Sequence, residues 1–170
     1  MAEQFLTLMA DLDDNTQQIM AGWYGMLKEA GFTGVQTPGL PYHISLAAFP
    51  LDQEQQAVEK MKKASAEFAE VPVHISHVGL FAGGKVLFGG PERNPRLDAL
   101  HDACESGSPQ PYPWTPHVSI LIDEPEKVYA ALSVLMKSFT PVVGKITRLH
   151  LCAFWPTREI AAFRLSGNRT

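Results

Sequence analysis

Tyr42-His43-Ile44-Ser45-Leu46-Ala47-Ala48-Phe49, closed by Pro50, is an apolar run that carries a histidine and a serine two positions apart. Successive side chains on a strand point to opposite faces, so the run predicts a strand with His43 and Ser45 on one face. Ile44 and Leu46 then supply an apolar opposite face that anchors the strand to a core. Pro50 lacks the amide hydrogen a ladder needs and ends it. Residues 52–70 are rich in Glu, Gln, Lys, Ala and Met, strong helix formers, and predict a helix. The same pattern returns later. His117-Val118-Ser119-Ile120 opens an apolar strand over 117–122, and residues 124–138 again read as helix.

Working outward from these two units, residues 5–12 read as a first strand. Asp13, Asp14 and Asn15 start a helix in which Ile19, Trp23, Met26 and Leu27 recur at helical spacing and which Gly31 ends. Residues 34–41 are a Gly- and Pro-containing loop. The β-branched run 72–80, a loose turn at Gly83-Gly84, and residues 85–88 predict a hairpin, with Gly89, Gly90 and Pro91 stopping its second strand. A short helix follows over 94–104, then a Pro- and Ser-rich loop over 106–116. Residues 145–154 and 160–165 form a closing strand pair. The expected order is β-α-β-α-β-β-α-β-α-β-β. A histidine strand followed by a helix and a strand pair occurs twice, which suggests two related halves.

The chain has 170 residues, 45% hydrophobic and 19% charged, the mix of one globular domain spanning 1–170. Met1-Ala2-Glu3-Gln4-Phe5 has no basic start, and no apolar stretch is long enough to span a bilayer, so no membrane association and a cytoplasmic location are expected. Cys104 and Cys152 lack metal-ligand spacing and read as buried thiols. A net charge of −4 argues against a long nucleic-acid footprint and leaves room for a small anionic ligand.

Two such strands side by side present two imidazoles and two hydroxyls, donors suited to an anionic tetrahedral group such as a phosphate ester. Phosphodiester hydrolysis needs a base for the attacking water and an acid for the leaving oxygen, and a histidine pair can share those roles near neutral pH. Composition gives on the order of 0.6 His-x-Ser/Thr triplets by chance. This sequence has three, the third being His74-Ile75-Ser76.

The motif His-x-Ser/Thr-apolar, met by His43-Ile44-Ser45-Leu46 and His117-Val118-Ser119-Ile120, resembles the two-histidine (2H) phosphoesterase superfamily, with its 2'-5' RNA ligase-like proteins and cyclic nucleotide phosphodiesterases. The lead-in Tyr112-Pro113-Trp114-Thr115-Pro116 resembles the approach to the second motif in bacterial members. The resemblance covers nearly the whole chain. It implies an α+β fold with two pseudo-symmetric lobes, each an antiparallel sheet with helices outside, and a central cleft between them. It also implies His43 and His117 as catalytic residues and Ser45 and Ser119 as phosphate-binding residues. His74 falls in a mid-chain strand that leads to Gly79-Leu80-Phe81, so it is not a motif histidine. Where the family often has Thr, both hydroxyl positions here are Ser, which loosens the rotamer of each.

The resemblance therefore implies metal-independent hydrolysis of a cyclic or 2'-5' phosphodiester on a nucleotide or short RNA end, with no cofactor, by a monomer. The alternative is a non-catalytic module that binds a nucleotide or RNA end through the same phosphate site. A third reading is a structural protein with accidental triplets. Tyr42 and Trp114 are candidates to stack a base at the cleft rim. Arg148, Arg158 and Lys85 are candidates for a supplementary phosphate contact. His74 and His77, three apart on a strand, face opposite sides, so no shared metal is expected. Gly83-Gly84 and Gly89-Gly90 do not open a helix carrying Lys-Ser/Thr and read as turns, not phosphate loops.

Overall fold

A computed structural model describes residues 2–110 and 112–170; Met1, and Pro111 within the expected loop, lie outside them. Among the described residues the order is β1 (Phe5–Leu12), α1 (Asp14–Glu29), β2 (His43–Phe49), α2 (Glu54–Glu67), β3 (Val71–Leu80), β4 (Val86–Pro91), α3 (Pro95–Cys104), β5 (Val118–Ile122), α4 (Pro125–Leu135), β6 (Val142–Phe154) and β7 (Arg158–Arg164). A 3-10 turn, Leu51–Gln53, precedes α2. This is the α+β succession expected from the sequence.

The helices begin where capping chemistry allows. Asp13 accepts the amide of Thr16 at 3.0 Å at the head of α1, and Asn94 accepts the amide of Leu97 at 2.9 Å ahead of Pro95 in α3. Each helix buries one stripe: Met20, Trp23 and Leu27 in α1, Ala57, Met61 and Ala64 in α2, Leu97 and Leu100 in α3, Val128, Ala131 and Leu135 in α4. These meet Leu6, Leu8 and Ala10 of β1, Ile44 and Leu46 of β2, and Leu149 and Leu151 of β6 in one core. The opposite face of β1 carries Thr7, Met9 and Asp11.

Two sheets, one per half, were the expectation; the strands instead form one seven-stranded antiparallel sheet, in the order β2-β1-β6-β3-β4-β5 with β7 also on β6. The reason is the length of β6. Its 13 residues start three positions earlier than the sequence suggested. Residues 142–146 pair with β3 and 148–153 with β7, while the other edge pairs with β1. The outermost strands, β2 and β5, lie against each other, and they carry the two triplets.

β4 likewise departs from expectation: it runs through Gly89, Gly90 and Pro91, which were expected to stop it. Glycine here serves close packing, not a turn. A Cβ at Gly89 would lie 2.9 Å from Ile75 Cγ2, and one at Gly90 would fall within the His77 ring. The turn itself is made by Gly83 and Gly84, with φ of +92° and +68°, values only glycine adopts freely.

Candidate active site

The two motif histidines enter by the same local device. His43 Nδ1 lies 2.7 Å from the carbonyl oxygen of Pro41, and His117 Nδ1 lies 2.9 Å from that of Thr115, each two residues back. A carbonyl only accepts, so Nδ1 carries the proton in the neutral ring and the lone pair is left on Nε2 in both. Ser45 lies two residues after His43 on β2, and Ser119, on β5, two residues after His117, which stands just ahead of that strand; neither hydroxyl has a hydrogen-bond partner among the described residues.

Two adjoining cavities, about 780 and 580 Å³, hold all six expected site residues. Ser45, His117 and Trp114 line the first; Tyr42, His43, Ser45 and Ser119 line the second. Thr7 and Ser45 belong to both, so the boundary between the cavities is where the triplets meet. Trp114, in the wall of the first cavity, is held in place: its indole Nε1 donates to the carbonyl of Ser45 at 2.9 Å, and its ring stacks on His101 with centroids 4.0 Å apart. The guanidinium of Arg93 lies 5.2 Å from the same indole. Tyr42 is half-buried, and burial pushes its phenol up to about 12.

The histidine surroundings differ. His117 meets Phe81 and Phe88 edge-on, with centroids 4.7 and 5.6 Å away. Burial lowers its imidazole below the ordinary 6.5, against the Thr115 carbonyl. Burial lowers His43 too; the Pro41 carbonyl and Asp11 oppose that, while His150 and His117 add to it. Both rings are thereby biased toward the neutral form.

Each candidate cation is already paired with a carboxylate. Arg158 binds Glu3 at 2.6 Å and Glu54 at 2.8 Å, Lys85 lies 3.4 Å from Glu124, and Arg148 holds Asp11. His74 lies 3.2 Å from Glu92 and lines neither cavity. Among the described residues, no three His, Cys, Asp or Glu side chains form a group able to hold a metal ion, and no helix is long and apolar enough to cross a membrane. Sequence reasoning passed over Thr7, Phe81 and Phe88. Only Thr7 left a signal, as a polar residue on the strand face opposite Leu6 and Leu8.

A family model described as the 2'-5' RNA ligase superfamily matches residues 26–154. The chain belongs to the 2'-5' RNA ligase superfamily. Superfamily membership agrees with the fold: E. coli LigT complexed with 3'-AMP superposes with a TM-score of 0.64 at 16% identity, covering 97% of this chain and 99% of that one. The LigT complex with ATP gives 0.65 at 19% identity over the same shares. TT0787 of Thermus thermophilus gives 0.64 at 14% identity, covering 97% of this chain and all of that one, 100%. No curated protein matches the sequence. Members of the 2'-5' RNA ligase superfamily are enzymes of the phosphoesterase or ligase type, and the chain carries that general assignment.

Proposed function

We propose that the protein hydrolyses, without a metal ion, a cyclic or 2'-5' phosphodiester on a nucleotide or short RNA end, acting as a monomeric, cytoplasmic single domain over 1–170. The observation that carries this reading is the matched presentation of His43 and His117: Nδ1 tied to a carbonyl two residues back, Nε2 left free, a serine hydroxyl beside each. One neutral imidazole takes the proton of the attacking water. As the new P–O bond forms and the bond to the leaving oxygen breaks, the other imidazolium gives its proton to that oxygen. Ser45 and Ser119 donate to the non-bridging oxygens, where negative charge is greatest. The two cavities have volumes of the size that small-molecule sites take. The structures of E. coli LigT with 3'-AMP and with ATP support a ligand of that class by analogy of fold.

The test is turnover of 2',3'-cyclic nucleotides and of a 2'-5' linked dinucleotide with EDTA present. His43→Ala and His117→Ala are each expected to lower kcat by about two to four orders of magnitude. His74→Ala, whose side chain lines neither cavity, should retain wild-type turnover. Unaltered turnover in both motif variants refutes the assignment. Saturable nucleotide binding with no product on long incubation points to the binding module.

A further inference from the structure

A buried charged cluster stands beside His43. In the β1–β2 ladder Asp11 is the direct partner of His43, and directly opposed residues of an antiparallel pair put their side chains on one face with Cβ atoms about 4.5–5.5 Å apart. Asp11 is only 3% exposed. From β6, Arg148 donates Nε to Asp11 Oδ2 at 2.8 Å and brings a second guanidinium nitrogen to 2.6 Å of the same oxygen. Two residues further along β6 is His150, also buried, with Nδ1 3.5 Å from that oxygen, too far for a hydrogen bond. Its other nitrogen faces Cys152 Sγ at 3.3 Å and Glu159 of β7 at 3.6 Å.

A bidentate Arg–Asp pair uses both carboxylate oxygens. Here one oxygen takes both guanidinium nitrogens, and Oδ1 of Asp11 is buried with no hydrogen-bond partner among the described residues. An unpartnered carboxylate oxygen away from water is costly, so its place next to a reactive histidine calls for a function.

We propose that Asp11 is a positioning residue: its carboxylate, anchored by Arg148, faces His43 across the β1–β2 ladder and stabilises the imidazolium formed there during turnover. The proposal rests on the acid–base role of His43 given above. The Asp11 effect acts through space, because His43 Nδ1 is already committed to Pro41. The groups that set the charge of His43 are then Asp11 on β1, Arg148 and His150 on β6, and His117 ahead of β5, with Glu159 of β7 acting on the far side of His150. Asp11 alone among the first four favours the protonated ring. His117, walled by Phe81 and Phe88, is not Asp11's strand partner, so the two histidines are electrostatically distinct despite their matched backbone contacts.

The experiment follows the ring carbon-bound protons of His43 and His117 by NMR against pH in the wild type, Asp11→Asn and Arg148→Gln. Asp11→Asn should lower the His43 midpoint by about one unit, with His117 moving less than a third as far. Arg148→Gln should move His43 the opposite way, because a positive charge has gone and the carboxylate is no longer neutralised. On a 2',3'-cyclic nucleotide, Asp11→Asn should lower kcat about tenfold with KM little changed. A His43 midpoint unmoved in Asp11→Asn, or both histidines shifting equally, overturns the proposal. If Asp11→Asn fails to fold, an unmoved His43 in Arg148→Gln does the same. The titration needs no substrate. Lack of turnover by the wild type therefore defeats the phosphoesterase reading alone, and an unmoved His43 in an active enzyme defeats the coupling alone.

Discussion

His43 and His117 sit in letters that a strand period makes readable, His-x-Ser with apolar residues between. Their orienting partners, the carbonyls of Pro41 and Thr115, are backbone atoms that any residue supplies, so nothing in the sequence marks them. The third triplet shows the limit of letters alone: His74 has the same spacing to Ser76, yet it lies beside Glu92 on β3 and away from both cavities. Asp11 was hidden for another reason. Its significance depends on β1 pairing with β2, a register that one strand's sequence does not contain. Burial lowers both motif histidines below 6.5, so each keeps its neutral form to lower pH, and the protonated partner that the proposed reaction needs is lost as pH rises through the higher of the two values. The pH dependence of kcat/KM should therefore be a bell with its maximum on the acid side of 6.5. A maximum above neutrality would contradict the burial argument.

Strands and helices were largely readable because the apolar spacing switches cleanly between two and 3.6, as between β1 and α1. The reading failed at β4, where Gly89 and Gly90 look like punctuation but make room for Ile75 and His77. The same strand pair contains a position that links packing to chemistry. Gly79 stands opposite Phe88, and a Cβ there would fall within the Phe88 ring. Phe88 packs on Phe81 at 4.6 Å and on His117 at 5.6 Å, so it cannot move without disturbing the histidine. Gly79→Ala is expected to cost about 1–3 kcal/mol in urea unfolding. It should also lower turnover more than that loss explains, because His117 shifts; unchanged kcat in the folded variant would separate Phe88 from the site.

For the whole molecule, element order followed from the sequence, while the joining of the strands into one sheet did not, since alternation says which face is buried and not which strand is the neighbour. Acid sensitivity belongs to this scale because several groups act in the same direction. The unfolded chain protonates its histidines near 6.5, whereas native His43 and His117 resist protonation until lower pH, so stability falls as pH drops below 6.5 toward their native values. Asp13 adds a second loss. Burial alone would raise its carboxyl, but the amides of Thr16 and Lys145 outweigh it and lower the value, so that contribution is present above 3.8 and fades as pH falls through the native value. Urea midpoints measured from neutral to acid pH should decline in two stages, and a midpoint unchanged just below 6.5 would contradict the first.

β6 occupies the middle of the sheet yet is made after both groups of strands that it joins. Until Val142–Phe154 leaves the ribosome, β1 with β2 and β3 with β4 and β5 are two unjoined pieces, each exposing an edge that β6 will later cover. The nascent chain must therefore hold two unfinished sheets apart until β6 emerges, and closure waits on a strand made after both of the pieces that it joins.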